Sequence, residues 1–320
     1  MGTFTRAPTN GRETIDAMTA CDPLTAELLA GGPWVRGDAP YRLLSVAGPD
    51  AGDFLQRLCS QDLLALAAGG LQPAAFLDAR GKVAATCLAM RAADGFLLEC
   101  QAAQLERLQQ LLERYHFTEK LRIDALPGRA SERLAAATAT GRVAVAIDAS
   151  GVVAVAFARR GVQFERWHAR GDAMPPALPG APLDDARAEC LRMGAGLVRV
   201  GVDTEPQTLA LEADLADHCS LTKGCYTGQE IVARINTYGH TNRALCLLHL
   251  EGSGAIDAPR TLHELDDGIA VGRVMRAVQV PGRELRVGLG YLPKDFQAIG
   301  TRLRLDDGGP VTVAGFAPQS

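Results

Sequence analysis

Among the residues able to do chemistry, one thiol stands apart. Cys225 lies in the run Leu-Thr-Lys-Gly-Cys-Tyr-Thr-Gly-Gln-Glu-Ile-Val-Ala-Arg, residues 221–234. Thr227 and Glu230 have capping-box spacing, each able to accept from the other's backbone N–H. The spacing predicts a loop feeding a helix, with Ile231, Val232 and Ile235 on its apolar side and Gly239 as its stop. Cys225 then sits two residues before the cap, near the positive end of the helix dipole, with Lys223 two residues further back. Both features favour a thiolate. A reactive, loop-borne thiol is one reading. A small buried residue filling a tight Gly-Cys-Tyr turn is the other.

Other constellations are weaker. His218, Cys219 and Cys225 fall within eight residues, but the five residues between the cysteines are unlike zinc spacings, and no second ligand pair is evident. No metal site is expected. His240 is the nearest candidate base, yet it follows Gly239 in a turn and reads as a surface histidine. Gly194-Ala195-Gly196 lacks the preceding strand and third glycine of a phosphate loop. Gly31-Gly32-Pro33 reads as a turn and Arg159-Arg160 as a solvated hairpin tip.

Composition bounds the setting. The chain has 320 residues, 47% hydrophobic and 22% charged, which suits two or three globular domains. A net charge of −4 argues against a main task of gripping a nucleic-acid backbone. No apolar run approaches the ~18 residues of a membrane span. Eight cysteines without a C-x-x-C pair, and no secretory signal, imply free thiols in a reducing cytoplasm.

The elements that must position Cys225 follow from patterning. Residues 1–40 read as a flexible tail. A first α+β domain, 41–126, holds strands near 43–47, 74–77, 83–90, 96–99 and 121–126, with helices around Phe54 and over 105–115. A second, 127–244, repeats the order with strands at 143–147, 152–157 and 162–167, a Pro-rich linker and a helix over 183–193. It closes with the Cys225 loop-helix. From 245 to 320, short strands near 245–250, 270–275, 285–289, 303–305 and 311–314 alternate with Gly, Asp and Pro turns, the pattern of a small antiparallel barrel. A junction between domains is a favourable place for a cleft.

The segment Lys223-Gly224-Cys225-Tyr226-Thr227-Gly228-Gln229-Glu230, continuing to Arg234, resembles the signature of the YgfZ folate-binding family, a relative of the glycine-cleavage T-protein (aminomethyltransferase). Supporting matches include residues 45–50, Leu77-Asp78-Ala79-Arg80-Gly81-Lys82, Gly194-Ala195-Gly196 and Gly288-Leu289-Gly290-Tyr291. The resemblance implies two α+β halves and a C-terminal antiparallel β-barrel, ring-like around a central channel that binds tetrahydrofolate or a related folate. It implies support of iron–sulfur cluster assembly or repair, and through iron–sulfur enzymes of tRNA thiomethylation. Iron–sulfur enzymes or assembly proteins would be the partners, without strong direct nucleic-acid binding and without a membrane. The resemblance implies that activity depends on Cys225, and the residue reading sets Lys223 beside it as the charge that favours its thiolate. The implied folate contacts are Tyr41, Arg192, Tyr226, Gln229, Glu230 and Arg234. An alternative is a folate-dependent one-carbon transferase of the T-protein kind. Against it, the T-protein acidic pair corresponds here to Ala85 and Thr86, which cannot ionise. Its pterin-binding glutamate corresponds to Gly194, and an aromatic of the YgfZ pattern to Ala188.

Overall fold

In the computed structural model, which describes residues 21–138, 142–147, 152–239 and 241–316, the Asp22 carboxylate accepts from the Leu24 and Thr25 N–H groups. It thereby caps helix α1 (Pro23–Leu29). Strand β1 (Trp34–Arg36) follows. The expected tail is therefore corrected. Its first part, residues 1–20, lies outside the described residues. The rest folds because Leu24 and Leu28, one helical turn apart, are buried together with Leu29.

The first sheet is built from β2 (Tyr41–Ala47), β3 (Leu71–Leu77), β4 (Val83–Ala92), β5 (Gly95–Gln101) and β6 (Arg122–Leu126), in the antiparallel order β3-β4-β5-β2-β6. Helices α2 (Ala51–Leu58) and α3 (Leu105–Arg114) lay Phe54, Leu55, Leu108 and Leu112 on this sheet, all fully buried.

The second sheet contains β7 (Gly128–Ala136), β8 (Arg142–Ile147), β9 (Val153–Arg159), β10 (Val162–Arg170) and the two-residue β11 (Ala181–Pro182), in the order β11-β1-β7-β10-β9-β8. Both sheets run from a three-strand meander to the strand preceding it, then to an added strand. In the second sheet that added strand is β1, taken from the N-terminal segment. Strand β7 was not anticipated, because Glu132 and Arg133 interrupt its apolar pattern. The meander tip is corrected too. Arg159 is buried, with Asp217 at 2.6 Å and Asp214 at 2.9 Å. Arg160 pairs with Asp214 and stacks on Phe316. These acids draw both side chains out of water.

Helix α4 (Asp185–Gly194) starts at Asp184, whose carboxylate accepts from the Arg187 N–H. It packs on α1 and on the barrel. Helix α5 (Gln229–Tyr238) leads into six strands: β12 (Arg243–Glu251), β13 (Arg260–His263), β14 (Ala270–Gln279), β15 (Leu285–Pro293), β16 (Arg302–Leu305) and β17 (Pro310–Gly315). They close as β12-β15-β14-β13-β16-β17, with β17 pairing back to β12. The α+β class and the C-terminal barrel agree with the sequence expectation. Among the described residues, no helix is long and apolar enough to cross a membrane.

Candidate functional site

Two glycines bring two distant sequence motifs together. Gly228, at φ +84°, precedes α5 and lies against the β3–β4 turn; a Cβ there would sit 2.6 Å from the Asp78 carbonyl oxygen. Gly81, at φ +73°, lies under Ile231 of α5, where a Cβ would sit 2.9 Å from the Ile231 Cβ. The turn is fixed from within, since the Asp78 carboxylate accepts from the Arg80 and Lys82 N–H groups at 2.8 and 2.9 Å. Gly228→Ala meets both a left-handed φ and a backbone oxygen, so it is expected to cost about 1–3 kcal/mol, measurable by urea denaturation. The expected capping box does not form. The cap residue is Gly228, without a side-chain cap bond, because this close approach takes the position that Thr227 was assigned.

Lys223 is not offered to Cys225. Its side chain is buried, and its Nζ donates to the carbonyl oxygens of Gln56 at 2.6 Å, Cys59 at 2.9 Å and Gln61 at 3.0 Å. These carbonyls come from the last turn of α2 and the segment after it, where backbone acceptors lack helical partners. The ammonium has three N–H donors and all three are used. Burial pulls the Lys223 pKa below its usual value. The expected role beside the thiol is thus replaced by an anchoring one, which ties the Cys225 loop to the first domain.

The other motif residues hold the loop's shape. Tyr226 is buried and its hydroxyl donates to Ser220 O at 3.3 Å. Gln229 Nε2 donates to Lys223 O at 3.4 Å. Glu230 and Arg234 are exposed on α5. Of the eight cysteines, all free thiols, Cys225 alone is exposed. Burial pushes the Cys219 pKa up to about 11. It pushes those of Cys100, Cys190 and Cys246 to about 12. Those thiols stay protonated and enclosed at neutral pH, whereas Cys225 meets water beside exposed Gly224 and Leu221. His218 is bound to Asp217 at 2.7 Å and Cys219 is buried; no group of three metal-ligating side chains converges among the described residues. His240 lies outside the described residues.

Tyr41 and Arg192 are held elsewhere, in an ionic core that sequence reasoning missed. Arg36, Glu132 and Arg166 are register partners across β1, β7 and β10. Arg166 Nε reaches Glu132 at 2.9 Å and its Nη1 reaches Glu99 of the first sheet at 2.6 Å. His168 meets the other Glu99 oxygen at 2.5 Å. The Arg166 guanidinium lies 3.5 Å from the centre of the Tyr41 ring, which is 8% exposed. Arg192 is bound to Asp203 at 2.7 Å. The only legible signal was a charge at an inward strand position on each of several strands.

These residues do not fit a pterin as expected. A pterin needs an open aromatic face and free carboxylates, in a pocket of at least about 300 Å³. The Tyr41 face is covered and the nearby acids are paired. The cavity lined by Tyr41 and His168 measures about 10 Å³, room for about one water. A Cβ at Gly194 would collide with Thr25 of α1, so no longer side chain can stand there. Ala85 is fully buried on β4 and, like Thr86, holds no titratable proton.

No protein-family model matches the sequence. The chain is 30% identical over 249 residues to the iron–sulfur cluster assembly factor IBA57, mitochondrial, of Homo sapiens, covering 72% of this chain and 70% of that protein. It is 28% identical over 270 residues to the IBA57 homolog of Phaeosphaeria nodorum, covering 79% of this chain but 63% of that relative's length. The tRNA-modifying protein YgfZ of Edwardsiella ictaluri is 29% identical, with 70% of this chain and 71% of that protein covered. Among solved structures, the glycine cleavage system aminomethyltransferase T of Bartonella henselae shares the fold, with a TM-score of 0.72 at 18% identity over 93% of this chain and 91% of that one.

Proposed function

Because the chain belongs to the family of the IBA57 iron–sulfur cluster assembly factors and the YgfZ tRNA-modifying proteins, we propose that it assists iron–sulfur cluster assembly or repair through the Cys225 thiol. The carrying observation is that one thiol of eight is exposed, on a loop whose backbone is anchored from beneath by a buried ammonium. An anchored loop offers sulfur at a fixed place with little ordering entropy to lose on contact. The substrate is cluster iron presented by an iron–sulfur protein. Cys225 gives up its proton to solvent as sulfur bonds iron, and the ligand that iron releases returns to the donor. Partner enzymes, those of tRNA thiomethylation among them, then receive the cluster. A net charge of −4 suits this indirect route to tRNA better than direct grip on it. The free thiols suit a reducing cytoplasm.

No step of this reading runs through a folate. The one-carbon transfer alternative lacks an acid or base at Ala85 and Thr86. Cys225→Ser, an exposed and conservative change, is expected to shift stability by less than about 0.5 kcal/mol. In a strain lacking the protein it should restore little iron–sulfur enzyme activity. Restoration equal to wild type would remove the thiol from the reading.

A further inference from the structure

The two edges of the first sheet are finished differently. The outer edge of β3 is covered: Cys59 forms a bridge with Phe76, and the Ser60 N–H donates to the Ala75 carbonyl oxygen at 2.8 Å. The outer edge of β6 is open. Strand β6 pairs with β2 alone, and among the described residues its backbone makes no hydrogen bond to any other segment. Such a row of unpaired N–H and C=O groups is a template for another strand. Proteins commonly blunt it with lysines, a proline or a bulge. Residues 122–126 contain neither lysine nor proline, and their register with β2 runs without a shift.

The two faces of this strand differ. Leu121 and Ile123 pack on the core under α2 and α3, and Ala125 follows on the same face, exposed. Arg122 and Asp124 stand on the opposite face. Both are exposed, and neither forms an ion pair among the described residues.

A second copy docked on this edge about a two-fold axis runs antiparallel, and facing residues share a face of the joined sheet. Centring the pairing on Arg122 or on Asp124 sets like charges directly opposite, which is destabilising. Centring it on Ala125 or Leu126 brings in Pro127, which has no N–H to give. Centring it on Ile123 sets Arg122 against Asp124 of the second copy, twice by symmetry, and Leu121 against Ala125. One face of the seam is then apolar throughout, and the other carries two opposite-charge pairs. The loop entering β6 leaves Phe117 81% exposed. Antiparallel pairing brings that loop to the end of the second copy's β6, where its ring adds apolar surface.

We infer that β6 is the seam of a homodimer, in which two copies pair antiparallel about Ile123 and join their first sheets into one. Cys225 lies away from this seam. Its loop leads into Gly228, which is held against the β3–β4 turn, and β3 is at the other side of the sheet from β6. Both thiols of the dimer therefore stay open.

The test is sedimentation equilibrium of the full chain over about a hundredfold range of concentration. A reversible, concentration-dependent dimer is expected. Arg122→Asp and Asp124→Arg each turn both charge pairs into like-charge pairs, so each should raise the dissociation constant about tenfold or more. Combining the two restores the pairs in reversed order, and the dissociation constant should return to within about threefold of wild type. Both positions are exposed, so all three variants should keep the wild-type urea midpoint. A protein that stays monomeric over the whole range would overturn the inference. So would a dimer that neither single variant weakens, or one that the combined variant fails to restore. Cys225→Ser should dimerise as wild type does, so the seam and the cluster-assembly reading stand or fall separately.

Discussion

Arg166→Met is expected to lose about 3–5 kcal/mol of folding stability, the largest effect of any single substitution considered. Arg166 is 2% exposed and satisfies two carboxylates, Glu99 from the first sheet and Glu132 from the second. Removing it leaves Glu99 with His168 and Glu132 with Arg36, each short of one of its two partners. The methionine replaces volume and stacking surface on Tyr41 but not charge. Replacing Arg166, Glu99 and Glu132 together by apolar residues of matching volume should cost much less than Arg166→Met alone, since no charge is stranded. Acid dependence follows from Glu99. Burial by itself would raise its pKa, but the Arg166 charge and the His168 hydrogen bond outweigh it and hold Glu99 below the usual carboxylate range. A depressed folded-state pKa contributes stability that is fully present above the unfolded value of about 4.3 and is lost as pH falls through the folded value. Without Arg166 the depression shrinks. The variant's acid unfolding should therefore begin at higher pH than wild type, as followed by circular dichroism between about pH 6 and 2. Equal urea midpoints for the two proteins at pH 7 would show that Arg166 contributes nothing net.

Why this core escaped the sequence, while the barrel and the thiol loop did not, has a physical reason. The meander β3-β4-β5 and the barrel strands are short apolar runs between Gly and Asp turns, so composition and punctuation agree. Strand β7 places Glu132 inward, 1% exposed, and reads as polar. Its charge becomes sensible only opposite Arg166, 34 residues away in sequence, and Arg36, 96 residues away. Residues 21–40 likewise make sense only once β1 has the edge of β7 to pair with and α1 has Gly194 to lie on. At the site, Cys225 and the helix after it were legible from local spacing, whereas its exposure, left open against a buried turn, came from the fold. The local spacing of Thr227 and Glu230 misled, since Gly228 is held by the β3–β4 turn, which is remote in sequence. Lys223 was recognised as unusual, one of four lysines, but its partners lie more than 160 residues upstream. Charge near a cysteine suggests chemistry in one dimension; in three, the charge points away into a ring of carbonyls.

Lys223 supplies the second large effect, and the choice of substitute decides what it does. Lys223→Met removes the ammonium and leaves the Gln56, Cys59 and Gln61 carbonyls with one donor fewer each. Partial relaxation and water entry at the loop edge will recover some of this, so a loss of about 2–4 kcal/mol is expected by urea denaturation. Lys223→Arg keeps the positive charge, but a planar fork cannot aim three N–H groups at carbonyls gathered around one point. The arginine protein should therefore lose nearly as much stability as the methionine protein. Were Lys223 to serve Cys225 by charge, arginine would preserve both the stability and the alkylation rate of that thiol. The anchoring role predicts a different pattern. Both variants free the loop from the first domain, and both should restore less iron–sulfur enzyme activity in a strain lacking the protein, in proportion to their lost stability. A Lys223→Arg protein matching wild type in urea and in activity would return the lysine to the chemistry of the thiol. A protein unstable in urea yet fully active would detach the anchor from function, because cluster handover would then need the sulfur but not its fixed position.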